Sequence, residues 1–310
     1  MQSKVSCLIA VVGLFIGVQS VNAATFDLPE EGSHMVGKLK RHVVESGETF
    51  AVLAKDYDVG LLSLMAANRG IDPFLPHDGE VLTIPHQFIL PNARHEGIVV
   101  NLAELRLYYF DPDGERVHVF PVGIGKIGRE TPEMKTTISQ MIEGPTWTPP
   151  KSIRMAYEED GIELPETVPA GPDNPLGEYA MRLRYGSGQY LIHGTNKDFG
   201  IGLRVSSGCI RMEPADIEWL FEQVSRGTKV QIVNQPIKVA VEPDSSVYVE
   251  SHEPLTGRDG YKQSLEWPLE LQIWVDQYQF ASTRVDSVIK VQSGLPTLIA
   301  DGAHLETMQQ

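Results

Sequence analysis

The chain has almost no cysteine. Of its two, Cys7 and Cys209, the first lies in the opening apolar run and the second stands alone in the body of the chain. Beyond that run no intramolecular disulfide can form, so each domain must be held by its own apolar core. Basic charge is also scarce: 26 Lys and Arg against 41 Asp and Glu give a net charge of −15. A nucleic-acid binder shows a basic stripe, and none is expected here. The acidic balance instead gives a well-solvated surface. Apolar runs near the 20 or so residues of a membrane span are missing after the first 23 positions. Nucleotide motifs are missing too. "GIGKIG", with Gly123, Gly125 and Gly128, neither opens a helix as G-x-G-x-x-G nor completes a Walker A loop. No G-x-S-x-G elbow supports a serine hydrolase. Cys209 has no second cysteine and no nearby ligand set with which to complete the three or four ligands of a zinc site. No metal and no cofactor are expected.

What is present begins with "MQSKVSCLIAVVGLFIGVQSVNAATFDLPE". Lys4 precedes an apolar run from Cys7 to Val18, and Val21-Asn22-Ala23 is a small-residue cleavage site. This pattern predicts a secretory signal peptide over residues 1–23. The remainder is long enough for two or three domains, in an oxidising compartment. There a solitary thiol is intermolecular, reactive, or buried and inert.

After a linker over 24–38, the spacing predicts strand, helix, helix, strand. "LKRHVVES" alternates; "GETFAVLAKDY" places Phe50, Leu53, Ala54 and Tyr57 at helical steps,. "GLLSLMAANRG" is a second short helix with Gly70 as its stop, and "DGEVLTIP" returns as a strand. Beyond a second linker, "GIVVNLAELRLYYFD", a "PDGE" turn and "RVHVFPVGIG" form a hairpin,. Residues 144–177 are rich in proline and glycine. A loop of that length is either functional or disordered, and Trp147 and Tyr157 within it are cleft walls or ordinary anchors. "YAMRLRYGSGQYLIHGTN" is a hairpin turning at Gly186-Ser187-Gly188. "MEPADIEWLFEQVSRGTKV" is a helix with Pro214 at its first position and Gly227 as its stop,. "KVQIVN" closes the unit, and no chemistry is readable in the extension over 235–310.

The reading of Cys209 turns on its surroundings in "RVSSGCIRM". A thiol is a useful nucleophile beside a base or a positive charge. His193, at the end of the apolar strand "QYLIHG", is the nearest base, sixteen residues upstream. Gly208 permits close backbone approach, and the Gly208 and Cys209 amides are candidate oxyanion donors. Arg211 projects to the face of Cys209 if the segment is extended. There it holds a substrate carboxylate or forms a surface salt bridge.

Two resemblances add to this. "HVVESGETFAVLAKDY", "NRGID" and "LPHDGEVLTIP" resemble a LysM module over residues 39–86, which implies binding to the N-acetylglucosamine-containing glycan of peptidoglycan. "IHGTN" followed by "RVSSGCIRM" resembles the signature of the YkuD-type L,D-transpeptidases, over about 95–234. With LysM ahead and an extension behind, the layout is similar to the ErfK/YbiS group of envelope enzymes. The resemblance implies a multidomain chain: a βααβ LysM module, a mainly-β, β-sandwich-like catalytic domain, and a small C-terminal extension. It also implies a Gram-negative periplasmic location. Cys209 maps onto the nucleophile, His193 onto the proton acceptor and donor, and the Gly194 backbone onto the group that orients His193. Many members have "SHGC", whereas Ser207 stands here at the second-histidine position, so no role of that histidine carries over.

The implied reaction is acyl transfer from a tetrapeptide stem, with loss of D-Ala, to an amine. That amine belongs to another stem (a 3→3 cross-link) or to the terminal lysine of an anchored lipoprotein; water would give a carboxypeptidase. The rival expectations are a non-catalytic wall-binding protein and another thiol acyl-transfer enzyme, sortase-like or hydrolytic.

Overall fold

A computed structural model describes residues 24–29, 32–197, 199–277 and 282–301. The signal peptide expected over 1–23 lies outside the described residues.

The segment expected to be a linker is built into the fold. Strand β1 (Ala24–Asp27) lies antiparallel to a later strand, with Ala24 opposite Val119 and Asp27 opposite Arg116. Strand β2 (Met35–Gly37) pairs downstream, with Met35 opposite Ile89. Strands this short carry no readable period, and what secures them is tertiary: Phe26 packs edge-on against Phe88, ring centroids 5.6 Å apart.

Next come β3 (Lys40–Val43), α1 (Phe50–Asp56), α2 (Leu61–Ala67) and β4 (Val81–Ile84), in the order the spacing predicts. Thr49 caps α1, its hydroxyl accepting from the Val52 N–H at 3.4 Å,. Phe50, Leu53, Leu64, Leu82 and Ile84 are buried together; Leu64→Ala would cost about 2–5 kcal/mol. Helix α2 ends three residues before Gly70, because Asn68 stops it: its amide donates to the carbonyls of Leu64 and Thr83 and accepts from the Thr83 N–H. This unit abuts the next at Gly60 and Gly202, where a Cβ on Gly202 would come within 2.5 Å of the Gly60 Cα.

After β5 (Gln87–Ile89), which pairs with β2, the large sheet begins. Strands β6 (Gly97–Asn101), β7 (Arg106–Phe110) and β8 (Arg116–Pro121) meander antiparallel. Then follow β9 (Ile124–Gly125), β10 (Met134–Glu143), α3 (Lys151–Glu159), β11 (Tyr179–Leu183), β12 (Leu191–His193), β13 (Arg204–Ser206), β14 (Ile210–Arg211), α4 (Pro214–Gln223) and β15 (Lys229–Val233). Nine strands run in the order β1-β8-β7-β6-β15-β10-β11-β12-β14. Strand β10 makes the corner: up to Thr137 it pairs with β15, and from Ile138, across a bulge before Gln140, it pairs with β11. A strand that changes partners through a bulge turns a sheet upon itself, and the mainly-β core closes around Ile98, Leu107, Phe120, Met181, Ile192 and Ile210. Proline opens α4 as the sequence implies, but the helix ends at Gln223, before Gly227.

The extension is a unit of its own. Strands β16 (Ile237–Val241), β17 (Val247–Ser251) and β18 (Thr297–Ala300) form an antiparallel sheet, with α5 (Leu269–Gln277) and α6 (Ser282–Val291) between the last two. It is joined to the large sheet by buried charge. Glu104 and Glu250 lie between Arg106 and Lys238, at 2.9–3.3 Å, and His252 reaches Glu250 at 2.7 Å. Burial pushes the Glu250 carboxyl up, but Lys238, the His252 hydrogen bond and Arg106 outweigh it and bring it down to about 2. Removing one member of such a buried pair costs about 3–5 kcal/mol.

Candidate active site

The site forms where the sheet ends. Strands β12 and β14 are parallel, with Ile192 beside Ile210 and His193 beside Arg211. Residues paired across a sheet share a face, and so do residues two apart on one strand. Cys209 immediately precedes β14, two residues before the partner of His193, so a backbone that stayed extended there would carry it on the face of His193, one strand over.

His193 is 4% exposed. Its Nδ1 lies 2.6 Å from the carbonyl oxygen of Gly194. A carbonyl only accepts, so Nδ1 carries the proton and Nε2 presents its lone pair. Burial drives the ring's pKa down to about 4, Arg211 adds to this, and the carbonyls of Gly194 and Leu176 oppose it. The imidazole is thus neutral at neutral pH. Gly194 has no space for a side chain: a Cβ would meet Ile217 of α4 at 3.0 Å, and one on Gly177 would meet the Thr195 nitrogen at 2.8 Å. The carbonyl that orients the ring is wedged between α4 and the end of the proline-rich segment.

Cys209 is a free, half-buried thiol, its Sγ 3.6 Å from the Gln189 carbonyl. Burial raises its pKa, opposed by a hydrogen bond from the Leu191 backbone and by Arg211 and Arg182. A raised thiol and a lowered imidazole are both neutral at rest.

Around Cys209 the backbone is pinned. Gly208 has φ +106°, and a Cβ there would meet the Tyr190 ring at 3.2 Å. Its N–H donates to Ser206 Oγ at 3.2 Å, and the Ser206 hydroxyl in turn donates to the Cys209 carbonyl. Of the two candidate oxyanion donors, the Gly208 amide is therefore engaged in the resting site. Its carbonyl accepts from Thr131 Oγ1 at 2.9 Å. Ser207 is exposed and accepts from Arg129 at 3.2 Å.

Arg211 exchanges backbone hydrogen bonds with Gly123, both 2.8 Å. Its guanidinium lies against Gly200, where a Cβ would come within 2.9 Å of Nη1. Among the described residues no carboxylate pairs with it, and its buried Nε has no partner. Burial lowers its pKa, while Cys209 and Tyr157 act electrostatically in the other direction. The segment 144–177, which carries Tyr157, borders an open cavity of about 530 Å³ lined by Trp147, Tyr157, Val168, Pro172, Asn196 and Lys197.

Glu104, Glu250 and His252 bring ligand-type atoms within 4.8 Å of one another, but Lys238 and Arg106 already neutralise them. Their chemistry is that of a structural ion cluster. Ser206, Thr131 and Leu176 escape the sequence reading, since a lone hydroxyl or carbonyl in a loop carries no spacing signal.

Residues 95–232 match the L,D-transpeptidase catalytic domain (YkuD), and residues 236–299 match the L,D-transpeptidase C-terminal domain. The chain is 51% identical over 280 residues to "Probable L,D-transpeptidase YcfS" of Escherichia coli K12, covering 88% of each chain. It is 45% identical over 311 residues to "Probable L,D-transpeptidase ErfK/SrfK" of the same strain, covering 97% of this chain and 98% of that one. It is 43% identical over 305 residues to "Probable L,D-transpeptidase YbiS", covering 96% and 99%.

Proposed function

The chain belongs to the L,D-transpeptidase family, enzymes that act on peptidoglycan stem peptides, and from that premise we propose that Cys209 is the acyl-accepting nucleophile and His193 its base. The observation that supports this most is the pairing of His193 with Arg211, two residues after Cys209, across β12 and β14, with the His193 Nδ1 proton committed to Gly194.

The sulfur attacks the carbonyl of the third residue of a tetrapeptide stem while Nε2 of His193 takes the thiol proton. The C–N bond to the terminal D-Ala then breaks, and the leaving amine takes that proton from the imidazolium. The thioester is resolved by an amine, which gives up its proton to His193 and forms a new amide as the C–S bond breaks, and the departing sulfur takes that proton back from the imidazolium. The amine comes from a second stem or from the terminal lysine of a lipoprotein. Arg211, charged and without an acidic partner among the described residues, holds a carboxylate of the stem through paired hydrogen bonds.

In this reading the strand–helix–helix–strand unit of residues 39–86 is a LysM module that holds the enzyme on glycan, and the leader sends the chain to the periplasm. The test is incubation of the mature chain with disaccharide-tetrapeptide, followed by mass spectrometry. Released D-Ala with a cross-linked dimer or a tripeptide is expected. Unchanged substrate would contradict the reading, and addition of a lysine-terminated peptide tells the two acceptors apart.

A further inference from the structure

Thr131 lies in the loop between β9 and β10, 78 residues before Cys209, and is 6% exposed. Its hydroxyl has a fixed sense. Oγ1 accepts from the Gly125 N–H at 3.0 Å, so its own proton goes to the Gly208 carbonyl at 2.9 Å. The loop's backbone packs closely on itself here. A Cβ on Gly125 would lie 2.2 Å from the Arg129 carbonyl oxygen and 2.6 Å from the Thr131 nitrogen. The Lys126 N–H also donates to the Ser206 carbonyl at 3.0 Å.

The consequence follows from the planarity of the peptide bond. In a trans peptide the C=O and the N–H point in opposite directions. The Gly208 carbonyl and the Cys209 N–H belong to the same plane. Thr131, on the buried side, fixes the carbonyl and so aims the Cys209 N–H the other way. The other candidate amide, that of Gly208, already donates to Ser206.

We propose that Thr131 is a positioning residue: by holding the Gly208 carbonyl it presents the Cys209 N–H as the donor that stabilises the oxyanion. This rests on Cys209 being the nucleophile. As the C–S bond forms, the carbonyl π pair moves onto oxygen, and that charge meets the Cys209 N–H. When the amide C–N bond breaks, the pair returns and the leaving amine takes the proton from His193. Thr131 touches neither sulfur nor imidazole, so thiol ionisation does not depend on it.

The test compares Thr131→Val with Thr131→Ser, using disaccharide-tetrapeptide as the substrate and iodoacetamide as the thiol probe. Loss of a preorganised oxyanion donor costs about 100- to 1,000-fold in rate. Mis-aiming one is expected to lower kcat by about 10- to 100-fold on that scale, with KM little changed. Thr131→Ser restores the rate, and the pH profile of alkylation is the same in all three proteins. Wild-type kcat in Thr131→Val overturns the proposal, as does an alkylation profile that moves in step with kcat. If Cys209→Ala still turns over, the nucleophile reading falls and this proposal with it. Wild-type kcat in Thr131→Val with a dead Cys209→Ala overturns this proposal alone. Should Thr131→Val not fold, the structure of the wild-type acyl-enzyme decides: the acyl oxygen is expected within hydrogen-bond distance of the Cys209 nitrogen, and an oxygen bonded to the Gly208 nitrogen instead contradicts the proposal.

Discussion

His193 and Arg211 stand side by side across the parallel strands β12 and β14, so the cation proposed to hold a substrate carboxylate also bears on the imidazole proposed as base. Burial and the Arg211 charge both favour neutral imidazole, lowering its pKa to about 4. Removing Arg211 therefore has two separable effects. Arg211→Gln is expected to lower kcat/KM for the tetrapeptide by about 10- to 100-fold, the worth of a charge-assisted hydrogen bond. It also moves the acid limb of the pH–rate profile to higher pH, since His193 then protonates more readily. Arg211→Lys recovers the position of the limb but only part of kcat/KM, because a point charge cannot form the paired bonds of a guanidinium. Steady-state kinetics from pH 4 to 8 check both effects.

The neutral resting pair makes a second expectation. A preformed thiolate would alkylate at a rate independent of pH through neutrality. Here burial raises the Cys209 thiol, so the rate of alkylation by iodoacetamide is expected to keep climbing past pH 9. A plateau beginning near pH 6 would indicate an ion pair in its place.

Ser207 stands where the motif resemblance implies a histidine in many members, yet it is exposed and, among the described residues, its hydroxyl accepts from Arg129. Ser207→Ala is expected to leave turnover within about threefold and stability within about 0.5 kcal/mol, as for a surface substitution. Ser206, inside the loop, bonds both Gly208 and Cys209, and Ser206→Ala is expected to lower kcat by at least tenfold, on the scale of a misplaced oxyanion donor. Side-by-side kinetics of the two variants check this.

Where α4 meets the N-terminal unit, Asp216 is buried with one carboxylate oxygen lacking a partner. Burial, then Asp58 and Glu213, push it up to about 8; Asp58 rises to about 6 and Glu213 also rises, with Lys55 opposing the latter. The folded state thus holds a proton that the unfolded chain has released above about pH 4. The stability this contributes is full below pH 4 and is lost as pH rises through 8. Asp216→Asn keeps the neutral form at every pH. It is expected to flatten the fall in stability between pH 5 and 8 and to gain about 1–3 kcal/mol at pH 8, at about 1.4 kcal/mol per pKa unit discounted for relaxation. Denaturant melts at the two pH values measure it.

The strand-end placement of His193 and Cys209 is legible in the chain because "QYLIHG" ends a strand and "RVSSGCIRM" leads into one. The N-terminal helices are legible because Phe50, Leu53 and Leu64 keep a helical period. Thr131 is not, since its role depends on a loop returning across 78 residues to a single carbonyl. Nor are β1 and β2, whose three or four residues are held by distant partners rather than by a pattern of their own. The buried ion cluster is hidden for the opposite reason. Glu104, Arg106, Lys238 and Glu250 read as solvated charges until the fold buries them against one another. Asn68 conceals the end of α2 in the same way, because its side chain must first find Thr83.

The most direct measurement of the central claim is the mass of the enzyme itself during turnover. Mature protein mixed with disaccharide-tetrapeptide, quenched in acid and digested, is expected to carry a disaccharide-tripeptide thioester on the peptide containing Cys209, formed in step with D-Ala release and missing from Cys209→Ala. D-Ala release by Cys209→Ala, or an adduct on any other residue, would contradict it.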